Sequence, residues 1–190
     1  MNVLRTVAWI FGVLYATVPP YWLVVHPFAD RWRARGAKLQ HVGPIWLLMW
    51  LVGGAVSWPF RHIALYTSWS AWIPAAILFA IAYTVYFHSK RGFTHDQLVG
   101  RSELEPEKHE QRLNTSGIRS RVRHPIYMAH LIHLAGWTTG SGLLVMFFFL
   151  PFAFLTGALM IRYEERELVG RFGESYREYQ RRVPAVIPRL

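Results

Sequence analysis

Long uninterrupted apolar blocks dominate this sequence, among them IWLLMWLVGGAV (residues 45–56) and LLVMFFFLPFAFL (residues 143–155). A soluble amphipathic helix needs one apolar face at 3.6-residue spacing, whereas these blocks are apolar all round. They suit helices surrounded by lipid, each close to the roughly 20 residues that cross a hydrocarbon layer. The predicted fold is therefore an all-α, polytopic membrane protein. Its spans are expected at Val3–Phe28, Val42–Phe60, Ile63–His88, Pro125–Thr139 and Gly142–Ile161. Breaks at Pro19-Pro20, Pro59, Pro74 and Pro151 are tolerable where neighbouring helices satisfy the freed carbonyls. No repeat or low-complexity tract appears, so residues 1–190 read as one membrane domain, with three spans in 1–88 and the remaining elements in 89–190.

The apolar N-terminus carries a single Arg5, as a secretory signal would, but the run continues through Pro19-Pro20 to Val25 with no small-residue cleavage pattern. It is expected to be retained as the first span. The fourth span is short and carries His130, His133, Thr138 and Thr139. Gly140-Ser141-Gly142 should turn it directly into the fifth, making a helical hairpin.

A formal charge of +10 would suit nucleic-acid binding in a soluble protein. In a membrane protein it reads instead as a topology determinant. With five spans, one side collects Arg31, Arg33, Arg35, Lys38, eight basic residues of Ser89–Arg123 and seven of Arg162–Arg189, against Arg5 and Arg61 opposite. The excess of Lys and Arg on cytoplasmic loops then places the N-terminus outside and both polar segments in the cytoplasm. No nucleic-acid partner is expected, and the bilayer is. The absence of Cys excludes disulfides, thiolate metal sites and a Cys nucleophile.

Candidate functional residues lie in those two polar segments. In RYEERELVGRFGESYREYQRRVP, residues Leu168, Phe172, Tyr176, Tyr179 and Val183 fall on one helical face, predicting an amphipathic C-terminal helix loosened near Gly170 and Gly173. Glu164 and Glu165 follow the fifth span at a depth where an unpaired carboxylate is costly, so a cationic partner such as Arg123 or Arg162, or a ligand, is expected beside them. In RVRHPIY (Arg121–Tyr127), Pro125 suits the first turn of a helix and pushes His124 out of helical geometry. That helix end offers free N–H groups to an anionic ligand. His130 and His133 lie on one side of the fourth span. With no third ligand nearby, interhelical hydrogen bonding is expected of them and a metal site is not.

The order L-x-T-x-G (Leu113–Gly117), RHPIY (Arg123–Tyr127), a two-span hairpin, and EERELVGRFGESYREYQRRVPAVIP (Glu164–Pro188) resembles the isoprenylcysteine carboxyl methyltransferase and phospholipid methyltransferase family of integral membrane enzymes. The likeness covers roughly the C-terminal half. It implies an S-adenosylmethionine site on the cytoplasmic face, held by Gln111, Arg112, Leu113 and Asn114, by His124, Pro125, Ile126 and Tyr127, and by Glu164. Arg119 stands where the isoprenylcysteine enzymes carry a Tyr, a departure that bears on the adenosine contact and the acceptor. Arg123 and Arg162 take the catalytic positions by the same resemblance, and Glu165 joins them as a candidate base.

Methyl transfer from a sulfonium is an in-line displacement, catalysed largely by positioning donor and acceptor. A carboxylate acceptor needs only an Arg to orient it, while an amine must first lose a proton, to His124 or Glu165 here. The expected activity is methylation of a lipophilic acceptor, with O-methylation of an isoprenylcysteine carboxylate ahead of N-methylation of a phospholipid such as phosphatidylethanolamine. An NADPH-dependent reductase of related fold is a further alternative.

Overall fold

A computed structural model describes residues 2–36, 39–91 and 112–188. They form seven α-helices: α1 Asn2–Val25, α2 Ala29–Ala34, α3 Leu39–Ser57, α4 Trp72–Lys90, α5 Pro125–Ser141, α6 Leu144–Phe172 and α7 Glu174–Arg182. The described residues contain no β-strand, in keeping with the all-α expectation.

Four of the helical stretches, 3–34, 40–60, 69–90 and 144–172, are long and apolar enough to cross a membrane. The helix at the fourth expected span, α5, has 17 residues and falls short of that length. Outward faces of α3, α4 and α6 carry exposed Leu47, Leu51, Val56, Ile73, Ile77, Phe148 and Leu155. An apolar surface on this scale belongs against lipid.

Small residues let α5 sit at the centre. A Cβ on Gly136 would stand 2.6 Å from the Phe79 ring of α4, and one on Gly140 would stand 2.5 Å from Trp72, so bare backbone there permits close contact. On the other flank His133 Nδ1 pairs with Tyr15 Oη of α1 at 2.6 Å, the interhelical role expected of this histidine. The principal neighbour of α6 is α1, where Gly157 packs near the Pro19 ring. Pro19 and Pro20 do not interrupt α1.

Two boundaries differ from the sequence expectation. The third span begins at Trp72, not Ile63, because Ile63–Leu65 pairs antiparallel with Gly142–Leu144: Leu65 N donates to Gly142 O at 2.8 Å and Leu144 N to Ile63 O at 2.9 Å. Ser68 then accepts from Ser70 N, and Pro74 falls in the first turn of α4, where a missing N–H costs nothing. Secondly, α6 runs eleven residues beyond Ile161 to Phe172, so Glu164 and Glu165 lie inside a continuous helix. Gly170 stays helical, and the chain breaks at Gly173 alone, where φ is 58°. The α5–α6 turn likewise needs a left-handed residue only at Gly142, where φ is 64°.

Basic side chains pair at both ends of the bundle. Arg5 donates to Tyr66 O and Ser141 O at one end of the bundle. At the other end Arg33 and His26 meet Glu167, and Arg119 donates to Ser89 O at the end of α4.

Candidate active site

Pro125 opens α5, and the residue before it is held outside helical geometry, with φ −116° and ψ 60° at His124. Backbone N–H groups of Arg123 and His124 are thereby turned away from the helix and donate to Pro184 O and Ala185 O, each at 2.9 Å. The chain after α7 is laid against the start of α5.

Between these strands of chain and α6 sits an ionic cluster. The His124 ring, 5% exposed, is wedged between two carboxylates: Nε2 lies 3.1 Å from Glu165 Oε1 and Nδ1 lies 3.3 Å from Glu164 Oε2. Burial opposes the charge on this ring, but Glu164 and then Glu165 outweigh it and raise the pKa to about 9. His124 is thus an imidazolium at neutral pH, carrying a proton on both nitrogens and donating from Nε2 to Glu165. That state cannot accept a proton, so His124 is not the base considered for an amine acceptor.

Glu165 is saturated. Its Oε1 accepts from Arg123 Nε at 2.7 Å and its Oε2 from Gln180 Nε2 at 3.0 Å. Arg123 also approaches Glu165 through Nη2 at 2.6 Å, while Nη1 donates to Gln180 O at 3.1 Å and to Val183 O. The guanidinium therefore clamps α6 to the end of α7, and the ion pair expected for the Glu pair exists. Glu164 differs: Oε2 faces His124 at ion-pair distance without the alignment of a hydrogen bond, leaving a buried oxygen with acceptor capacity.

The remaining expected site residues divide. Pro125 is buried, Ile126 and Tyr127 are half-buried, and the Tyr127 ring stands 5.8 Å from His124. Leu113 packs with Tyr176, Tyr179, Val183, Leu168 and Phe172; the face expected on a single C-terminal helix is divided between α6 and α7. Arg119 is buried, and its carbonyl accepts from Tyr179 Oη at 2.6 Å. It joins α4, the loop before α5, and α7. Asn114 Oδ1 accepts from Ser116 N at 3.1 Å, and Arg112 is exposed. Gln111 lies outside the described residues. Burial pushes the phenols of Tyr176 and Tyr179 up, Tyr179 to about 12, so neither supplies a base.

Beside the cluster lies a groove of about 450 Å³ between α1, α5, α6 and residues 184–187. Its walls are mainly apolar, including Pro19, Leu131, Leu134, Phe154 and Ile161. Tyr127, Arg162 and Glu165 line its polar end. Arg162 is exposed. The expected catalytic trio is therefore split: Glu165 and Arg162 border the groove, while Arg123 stands behind Glu165.

Sequence reasoning missed Gln180, the carbonyls of residues 183–185, and Glu167, which accepts from His26 Nδ1 at 3.0 Å and pairs with Arg33. Glu167 lies three residues after Glu164 on the same helical face, which was a readable signal. The backbone partners had none. Among the described residues no group of three or more His, Asp and Glu side chains is arranged to hold a metal.

No family model and no solved structure matches this chain. Curated relatives do. The chain is 29% identical to methanethiol S-methyltransferase 2 of Bradyrhizobium diazoefficiens over 77% of its length and 52% of the relative's. It is 28% identical to a methanethiol S-methyltransferase of Crocosphaera subtropica over 58% and 45%. It is 24% identical to a Delta(14)-sterol reductase of Mus musculus over 96% and 52%. The chain spans about half the length of the curated relatives it matches.

Proposed function

We propose that this chain, whose homologues are members of the isoprenylcysteine carboxyl methyltransferase-like family of membrane enzymes, is an S-adenosylmethionine-dependent methyltransferase acting on a lipophilic acceptor. The observation that carries this reading is the meeting, through Glu165, of a buried ionic cluster with an apolar groove at one end of the bundle. Such a junction brings a polar donor to an acceptor delivered from lipid.

The residues present fit the donor. Glu164 offers a buried acceptor oxygen, suited to an ammonium or ribose hydroxyl. The first turn of α5 has no side-chain cap, so its N–H groups suit a carboxylate. His124, Tyr127 and Glu164 would hold the group, with Leu113 on the α7 side, and the bound donor would supply an electrophilic methyl. What the protein adds is alignment and a dry wall.

The acceptor is read as a thiol. O-methylation of an isoprenylcysteine carboxylate drew on a free Arg to orient the anion, yet Arg123 is committed to Glu165 and two backbone carbonyls. Arg162 is left for that role, at the exposed mouth. Two relatives named as methanethiol S-methyltransferases favour sulfur. The sterol reductase relative supports NADPH-dependent reduction as a second reading.

Calorimetric titration of the purified protein with S-adenosylhomocysteine and with NADPH separates them. Binding of S-adenosylhomocysteine with labelled methyl transfer to a long-chain alkyl thiol is expected. Binding of NADPH alone would overturn the methyltransferase reading, and transfer to a prenylcysteine carboxylate or to phosphatidylethanolamine but not to the thiol would overturn the acceptor.

A further inference from the structure

Methylating a thiol near neutral pH requires its proton to go somewhere, because the thiolate is the nucleophile and a free alkyl thiol is mostly protonated. Around the groove the proton acceptors are few. Glu165 is saturated by Arg123, His124 and Gln180. His124 is an imidazolium between two carboxylates, and His133 is committed to Tyr15. Arg162 has no lone pair to offer.

His130 remains. It lines the groove one helical turn inward from Tyr127, and its Nδ1 is buried without a hydrogen-bond partner. A second cavity of about 350 Å³, bounded by Phe79, Tyr83, Tyr86 and His133, meets the groove at Tyr15 and His130. The His130 ring packs edge-on against Tyr15, 5.3 Å between centroids, which fixes its plane. A buried imidazole nitrogen left unpaired costs free energy, and the residue that retains it stands in the wall shared by the groove and the second cavity.

We propose that His130 is the base that takes the proton of a thiol acceptor held in the groove. This rests on the methyltransferase reading above. The thiol S–H bond breaks as its proton passes to the His130 imidazole. The sulfur electron pair forms the new bond to the transferring methyl, the methyl–sulfonium bond breaks, and S-adenosylhomocysteine leaves with that pair as a thioether. The proton then returns to solvent past the groove mouth. A carboxylate acceptor carries no such proton, so this arrangement selects a thiol.

The test compares wild type, His130→Ala and His130→Gln in liposomes, using dodecanethiol and labelled S-adenosylmethionine, with S-adenosylhomocysteine affinity measured on each. Groups lining the same two cavities as His130 that also titrate or carry charge are Tyr15 from α1, Tyr127 and His133 from α5, Tyr83 and Tyr86 from α4, and Glu165 and Arg162 from α6. The pH profile is therefore read as a difference between wild type and variant. Both variants should lose about 10²-fold or more in kcat at pH 7, the usual contribution of a positioned base, with affinity for S-adenosylhomocysteine within twofold. Their deficit should shrink as pH rises and the thiol ionises unaided.

A wild-type rate in either variant at pH 7, or a deficit constant with pH, overturns the assignment. Loss of S-adenosylhomocysteine binding in both variants would make His130 structural and overturn it too. Absence of that binding in wild type would instead refute the methyltransferase reading itself.

Discussion

His124 Nε2 lies 3.1 Å from Glu165 Oε1 across forty-one positions of sequence, and the second ring nitrogen faces Glu164. One imidazolium thus holds two adjacent carboxylates of α6 against the first turn of α5. Glu164→Gln keeps the shape of the side chain and removes the charge, while His124→Ala removes the cation both carboxylates share. Each should weaken S-adenosylhomocysteine binding by tenfold or more in calorimetry. Unchanged affinity in both would detach this cluster from the donor site.

The same pairing sets a pH dependence. The folded pKa of His124, about 9, stands above the unfolded value near 6.5. Its contribution to stability is therefore fully present below about pH 6.5 and is lost as pH rises through about 9. Thermal unfolding in detergent should show wild type losing stability from pH 7 to 10, with the loss reduced in His124→Asn. Parallel profiles for the two proteins would contradict the raised pKa.

Arg123 is 9% exposed at its side chain and spends its fork on Glu165 and on two carbonyls at the end of α7. Lysine retains charge but reaches one partner at a time. Arg123→Lys should loosen the chain beyond Gln180, and Arg123→Ala, which leaves Glu165 with only one of its two cations, should cost on the order of 3 kcal/mol. Limited proteolysis reads the first effect as faster cleavage after Arg181 or Arg182. Wild-type cleavage rates in Arg123→Lys would show that the clamp does not hold the tail.

The apolar blocks made the spanning helices legible, because period and length alone distinguish a lipid-facing helix from a strand or a soluble helix. Likewise the Glu pair announced a buried cation, since carboxylates at that depth need one. What stayed hidden depends on backbone placement. Ile63–Leu65 has the composition of a span, and only its pairing with Gly142–Leu144 removes it from α4. The carbonyls of Val183, Pro184 and Ala185 carry no side-chain signature at all. Nor does sequence reveal that Arg123 points at the tail and not into the groove.

Two glycines near helix ends make opposite predictions. Gly142 has φ 64°, and a Cβ there would stand 2.5 Å from Tyr66 O. Gly142→Ala should cost about 1–2 kcal/mol from the left-handed backbone alone, with further loss as the Ile63–Leu65 segment is displaced. Gly170 is helical, with nothing within 4 Å of a Cβ, so Gly170→Ala should stabilise by about 0.5–1 kcal/mol. Unfolding midpoints in detergent check both signs.

Ser68 and Ser175 lie at opposite ends of the bundle. Ser68 precedes α4 beside Tyr66, which receives Arg5 from the start of α1, whereas Ser175 opens α7 beyond the break at Gly173. Both serines are exposed. Because the chain has no cysteine, a single one can be placed at either position without background. The Lys and Arg excess predicts a cytoplasmic Ser175 end. An impermeant thiol reagent should then label Ser175→Cys only in inverted vesicles and Ser68→Cys only in right-side-out ones. Labelling of both from one side would contradict an odd number of crossings and make α5 a re-entrant helix, while the reverse pattern would keep the bundle and invert its orientation, moving the donor site to the outside. A cytoplasmic supply of S-adenosylmethionine would then be out of reach, so this labelling bears directly on the proposed activity.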